Sequence, residues 1–215
     1  EDGVRARRPG SVDGVMTALV DAGVVAHLPA GTLPLVIRWL EPHHCSVKVT
    51  GPRRTKKGDF RAPHRGKGAA ITVNRDLGPL QFVLTLTHEI AHLHTWASSR
   101  RRVRPHGPEW KDRFAALLRE LAGVGSLPEP YRLALLAHAD RPRSTASIDL
   151  HLWSVLQELE GDDDCLLDSL VPGARFGYRG RRFEKVRTAR TRCLCRDLGN
   201  DRQYFISRMA PVHPE

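Results

Sequence analysis

Five residues dominate the chemistry open to this chain. His88-Glu89-Ile90-Ala91-His92 lies inside a long apolar run. On an α-helix, residues four apart lie nearly one above the other, about 40° out of register, so both imidazoles can reach one metal ion. Glu89 is rotated by about 100° from His88, beside the metal rather than on it. From there its carboxylate can take a proton from a metal-bound water. The pattern H-E-x-x-H is that of a helix built for metal-assisted hydrolysis.

The flanks supply the helix. Leu80 to Trp96 contains neither Gly nor Pro, and Asp76-Leu77-Gly78-Pro79 gives a turn and a start signal. A helix over about 80–98 is expected. It is apolar on most sides and therefore central and buried. Two His and a Glu in such a helix are costly unless paired or metal-bound, whereas a chance H-E-x-x-H usually falls on a solvated face.

A catalytic zinc site takes three protein ligands and leaves a fourth position for water. The candidates for the third ligand are His94, His106, Glu109 and His138. His94 is about 200° around the helix from His92 and faces away from the metal. His106 stands in His106-Gly107-Pro108-Glu109-Trp110-Lys111, where Pro108 suits the first position of a second helix. That helix shows Trp110, Phe114, Leu117, Leu118 and Leu121 on one face. Packing this face on the metal helix would hold His106 over the site. Glu109 is the alternative and would make the third ligand a carboxylate.

H-E-I-A-H, a basic loop, and then H-G-P-E-W-K resembles the SprT-like (Spartan-type) metallopeptidases. Upstream, Arg54-Thr55-Lys56-Lys57-Gly58-Asp59-Phe60-Arg61 and Ile71-Thr72-Val73-Asn74 are similar to the strands before the metal helix in bacterial members. Downstream, Arg190-Thr191-Arg192-Cys193, Gln203-Tyr204 and Ala210-Pro211-Val212 resemble their C-terminal β segment. The likeness spans roughly residues 31–213. It implies one zinc per chain on His88, His92 and His106, with Glu89 as general base. It also implies a zincin-like core and proteolysis of proteins trapped on DNA.

The chain departs from the family in its tail. Many members carry a zinc ribbon with two C-x-x-C-like pairs, whereas this chain has only Cys45, Cys165, Cys193 and Cys195. Cys193-Leu194-Cys195 places both thiols on one face of a strand. The tail therefore reads as a metal-free β unit, degenerate relative to the ribbon. Whether Cys165, Cys193 and Cys195 hold a second metal is left open by the sequence.

With 34 Lys and Arg against 24 Asp and Glu, the 215-residue chain carries a net charge of +10. The excess is clustered. One group includes Arg53, Arg54, Lys56 and Lys57; a second is Arg100, Arg101, Arg102 and Arg104. A third runs from Arg175 to Arg192 through Arg187 and Arg190, interleaved with Phe176, Tyr178 and Phe183. Basic side chains neutralise phosphates and aromatic faces stack on unpaired bases, so DNA, single-stranded or junction-containing, is the expected partner. The bland reading is a solvated Arg-rich face.

Hydrophobic content of 40% and charged content of 27% fit a globular chain that buries a core. No stretch reaches membrane-spanning length, Glu1 to Arg5 has no signal-peptide apolar region, and four scattered cysteines do not form a disulfide framework. A cytoplasmic location, nucleoid-associated if bacterial, with no membrane partner, is the expectation.

The expected fold class is α+β: helices packed on a small antiparallel sheet, followed by a small C-terminal β-rich unit. Residues 1–10 read as a disordered basic end, 11–140 as the peptidase domain, 141–170 as linker and helix, and 171–215 as the β unit. Two short helices are expected within 11–40, and strands at 44–50, 60–63 and 69–74. Further helices are expected at about 108–122, 129–139 and 147–160, with a hairpin at Tyr178-Arg179-Gly180-Arg181. The function expected is a zinc endopeptidase acting on DNA-bound or DNA-crosslinked proteins. Two alternatives stand beside it: a zinc peptidase without nucleic acid dependence, and a non-catalytic zinc-containing DNA-binding protein.

Overall fold

The computed structural model describes residues 20–53, 56–99, 104–143, 149–161 and 165–215. The basic residues Arg54, Arg100, Arg101 and Arg102 and the end at 1–10 lie outside the described residues. By its internal contacts the chain divides into two compact units, Glu1–Pro128 and Glu129–Glu215.

The first unit begins with two short helices, α1 (Ala22–His27) and α2 (Leu33–Leu40). The side chain of Asp21 caps α1 by accepting the Val24 N–H at 3.0 Å. Three strands follow: β1 (Ser46–Thr50), β2 (Gly58–Arg61) and β3 (Ala70–Asn74). Their order is β1-β3-β2. The expected all-antiparallel sheet is corrected here. β3 runs antiparallel to β2 but parallel to β1, pairing Val47 with Ile71 and Val49 with Val73. A parallel pair needs a long crossover rather than a tight turn, and the chain from Gly51 to Ala69 supplies it, with β2 inside. Among the described residues β2 has a strand neighbour on one side only.

Helix α3 (Pro79–Ser98) has Gly78 at its N-cap and Pro79 at its first position. Phe82, Val83, Leu86, Ile90 and Leu93 are each 0% exposed, which makes α3 the central element that its composition requires. Helix α4 (Pro108–Ala122) starts the same way, with Gly107 and Pro108. Its expected face, Trp110, Phe114, Leu117, Leu118 and Leu121, is buried, and α4 packs on α3.

The second unit opens with α5 (Glu129–Asp140) and α6 (Leu150–Glu160), which pack on each other. Asp149 caps α6 through the Leu152 N–H at 3.2 Å and accepts from His138 Nδ1 at 2.6 Å with its other oxygen. Six strands follow: β4 (Cys165–Leu166), β5 (Arg175–Tyr178), β6 (Arg181–Thr188), β7 (Arg192–Asp197), β8 (Gln203–Ser207) and β9 (Pro211–Pro214). They form one sheet in the order β4-β9-β5-β6-β7-β8. The hairpin between β5 and β6 turns on Arg179 and Gly180, both at positive φ (51° and 71°), the conformation of a two-residue turn matched to strand twist. Among the described residues no helix is long and apolar enough to cross a membrane.

Two expectations about side chains change. Phe176 and Phe183 are 0% and 3% exposed and stack on each other inside the sheet's core, so neither ring is open to a base. Alternation explains this: the same period that puts arginines outward turns these phenylalanines inward. Lys185, counted among the basic residues of the tail, is buried too. Its ammonium donates to the carbonyls of Leu167, Asp168 and Leu170 at 2.9, 3.1 and 2.6 Å.

Candidate metal centre

His88 and His92 project from one face of α3, and His106 stands just before the N-cap of α4. The packing of α4 on α3 brings the three rings together. Their Nε2 atoms form a triangle with edges of 3.2 Å (His88–His92), 3.1 Å (His92–His106) and 3.1 Å (His88–His106). Three zinc–nitrogen bonds of about 2.0–2.1 Å at tetrahedral angles place the nitrogens roughly 3.3 Å apart. The triangle has the right size for that ion, and three imidazoles suit a borderline metal such as zinc. Among the described residues this is the one group of His, Cys, Asp and Glu able to hold a metal.

The surroundings favour the neutral form of His92 and His106. His92 is pulled down to about 4, first by burial and then by the neighbouring His106. Burial lowers His106 as well. A neutral imidazole has the lone pair that a metal takes. Trp110 lies 4.7, 5.3 and 4.7 Å from the ring centres of His88, His92 and His106, and stacks on Phe114 at 4.8 Å. This aromatic floor fixes the rings from below. His106 has φ of 57°, a left-handed conformation uncommon outside glycine. That backbone directs its ring back over α3.

Glu89 is 7% exposed. Its carboxyl is raised to about 7, first by burial and then by the Asp59 charge; the Phe60 N–H, Arg53 and Lys56 pull the other way. Both Asp59 and Phe60 belong to β2, so that strand lies directly over the carboxylate. Gly58 makes the approach possible. A Cβ there would sit 2.5 Å from Glu89 Oε1 and 2.8 Å from both Glu89 Cγ and Thr85 Cγ2. Sequence reasoning did not single out Gly58, because nothing local marks it: it is an ordinary strand residue in conformation. Gly58→Ala is expected to retain zinc but to lose cleavage activity by roughly tenfold, since about 1–3 kcal/mol of overpacking would fall on the carboxylate. Zinc content and steady-state rates read this directly; an unchanged rate would show that the close approach has no role.

The remaining candidates lie elsewhere. His94 Nε2 bonds the Trp39 carbonyl at 2.9 Å, on the side of α3 away from the triangle. Glu109 is exposed on the first turn of α4. His138 pairs with Asp149 in the second unit. Cys193 and Cys195 share one face of β7, as their spacing requires, and both are 0% exposed in the core. Burial, then Cys193 beside it, raises the Cys195 thiol to about 12.

The basic residues divide by partner. The Arg53 guanidinium is occupied within its own unit, donating to Asn74 Oδ1 at 2.8 Å, Thr72 Oγ1 at 3.0 Å and two backbone carbonyls. Lys56 pairs with Asp59 at 2.7 Å, and Lys57 is exposed. In the second unit Arg181, Arg182, Arg196 and Arg208 all pair with acids. Arg187, Arg190 and Arg192 are exposed and have no acidic partner among the described residues.

A centre of three histidines, two on a buried helix and one before the next, with a carboxylate one residue from the first, defines a candidate metal-dependent hydrolase of mixed α and β structure. Residues 42–125 match the model of the SprT-like family, so the resemblance read from the motifs holds over that span. The family is linked to zinc metallopeptidases. The match covers the three-stranded sheet, α3 and α4, and with them His88, Glu89, His92 and His106. The second unit lies outside it. No curated protein and no solved structure gives a match.

Proposed function

We propose that this chain is a zinc-dependent endopeptidase that acts on DNA-bound or DNA-crosslinked proteins. The observation that carries the catalytic half is the triangle of His88, His92 and His106 Nε2 atoms beside the buried Glu89, inside a SprT-like segment. The three histidines would hold zinc, which when bound acidifies a water and polarises the scissile carbonyl. Trp110 and Phe114 hold the rings at one separation, so ligation costs little rearrangement. Glu89 accepts the proton of the attacking water and returns it to the leaving amine. Its raised carboxyl suits both steps, since a base near neutral pH can also act as the acid. Gly58 and the Phe60 N–H hold that carboxylate in place.

The nucleic-acid half is supported by the net charge of +10 and by the exposed Arg187, Arg190 and Arg192, which have no acidic partner among the described residues. Arg53 contributes less to this half than the sequence suggested, because its donors face inward. A peptidase of loose preference needs a gate, and recruitment to DNA supplies one. The test is cleavage of a DNA-binding protein by the zinc-loaded chain, without DNA and with single-stranded or duplex DNA. Cleavage stimulated by DNA is expected. Equal cleavage with and without DNA would favour a peptidase with no nucleic acid dependence, and no cleavage in any condition would favour a binding protein.

A further inference from the structure

Helix α3 continues past the metal ligands on the same face. His88, His92 and Trp96 recur every four residues, so Trp96 stands one turn beyond His92, about 6 Å farther along the axis. Its side chain is 45% exposed, and Val25 is the only other large apolar side chain left exposed among the described residues of the first unit. Ala97 and Ser98, which follow it, are small and exposed as well. Strand β2 packs on this helix. Side chains two apart on a strand share a side. The side of β2 that carries only hydrogen at Gly58, above Glu89, therefore carries a phenyl ring at Phe60. That ring lies 6.4 Å from the Trp96 ring, inclined at 53°, and Phe60 is half-buried. The Phe60 N–H bonds the Glu89 carboxylate. One residue thus holds the candidate base with its backbone and faces the exposed indole with its side chain.

We propose that Phe60 and Trp96 form a shelf for a large apolar side chain of the substrate polypeptide, on a residue adjoining the scissile bond. One exposed indole is ordinary on a protein surface. Its position in line with two histidines of the triangle, against a ring whose own backbone holds Glu89, is what selects the ligand. Neighbouring Cα atoms of a polypeptide are about 3.8 Å apart. A chain with its scissile bond at the triangle therefore brings a flanking side chain within reach of a ring one helical turn away. Leu, Met, Phe or Tyr would cover both rings and remove apolar surface from water on both partners. A cationic side chain would meet Lys56 and Arg61, which already occupy Asp59 beside Phe60 at 2.7 and 3.0 Å. An anionic one would have to leave water for two ring faces, which is costly. The proposal rests on the endopeptidase reading above and adds to it a preference at one position of the substrate, independent of the nucleic-acid half.

The experiment is digestion of a library of unfolded peptides by the full zinc-loaded chain, with and without single-stranded DNA, the cut sites being read by mass spectrometry. Leu, Met, Phe and Tyr are expected to be enriched by roughly tenfold over Ala and Ser at one of the two positions flanking the cut. Trp96→Ala is expected to lose that enrichment while keeping the parent's zinc content and melting temperature, because the side chain it removes is largely outside the core. Trp96→Phe keeps an aromatic face and is expected to retain most of the enrichment. A second readout needs no turnover. A peptide with Leu at the selected position is expected to bind zinc-loaded Glu89→Gln roughly tenfold more tightly than its Ala counterpart. The two peptides are expected to bind alike when Trp96→Ala is added. Cuts with no side-chain preference, enrichment of Lys or Arg, or the parent's enrichment persisting in Trp96→Ala would each overturn the shelf and leave the endopeptidase reading standing. Weaker binding of oligothymidylate by Trp96→Ala, with the enrichment unchanged, would assign the indole to a nucleic acid base instead. If the parent cuts no peptide in either condition, the endopeptidase reading falls and the shelf with it.

Discussion

Glu89→Gln is expected to bind zinc as the parent does and to lose about 100-fold or more in cleavage rate. The carboxamide keeps the shape of the side chain and can still accept the Phe60 N–H through its oxygen. What it lacks is a basic site for the proton of the attacking water, and loss of a positioned general base typically costs about 10²–10⁴-fold. The same change removes a carboxyl that burial and Asp59 both disfavour as an anion. The variant is therefore expected to unfold at a temperature no lower than the parent, which separates lost chemistry from lost structure. Cleavage rate, zinc content and a thermal melt decide the matter together. Near-parental cleavage with full zinc would falsify the role given to Glu89.

The second large effect is on the metal. His106→Ala is expected to reduce the zinc that copurifies from about one per chain to a small fraction and to abolish cleavage. Removing one of three protein ligands leaves only the pair on α3, and a catalytic zinc site ordinarily needs three. His106 is half-buried outside α3, and its removal opens a gap beside Trp110 without disturbing the helix core. Folding should therefore survive, as circular dichroism would show. Glu109→Ala serves as the comparison, because Glu109 is exposed on the first turn of α4. Full zinc in His106→Ala together with zinc loss in Glu109→Ala would transfer the third ligand to the carboxylate.

Much of the peptidase unit was legible in the chain because its signals are local. Helix α4 begins and ends where Gly107-Pro108 and the apolar face through Leu121 place it. Helix α3 follows from an uninterrupted run after Gly78-Pro79. The turn at Arg179-Gly180 follows from the demand for positive φ. The direction of β1 was not legible. Alternating residues mark a strand but not its partner, and the parallel pairing of β1 with β3 depends on where the chain returns after β2. The tail misled for a related reason. Aromatics interleaved with arginines looked like a binding stripe, yet the strand period assigns Phe176 and Phe183 to the core and leaves Phe205, outside that run, on the surface.

The H-E-x-x-H spacing by itself determined that two imidazoles would share a helix face with a carboxylate beside them, because 3.6 residues per turn allows nothing else. The apolar run around the motif made burial of that helix nearly unavoidable. The closing of the site was decided only in three dimensions. His106 reaches His88 and His92 because the apolar face of α4 packs on α3 and because its own backbone takes a left-handed turn. Glu89 is held because β2 crosses it at Gly58, a residue whose importance lies in an atom it lacks. Whether an arginine is occupied also belongs to the tertiary structure: Arg53 and Arg187 are alike in sequence, but folding gives one four acceptors and leaves the other exposed, with no acidic partner among the described residues. Helical and strand periods are properties of neighbours along the chain, whereas contact, burial and charge pairing depend on segments that the chain brings together from afar.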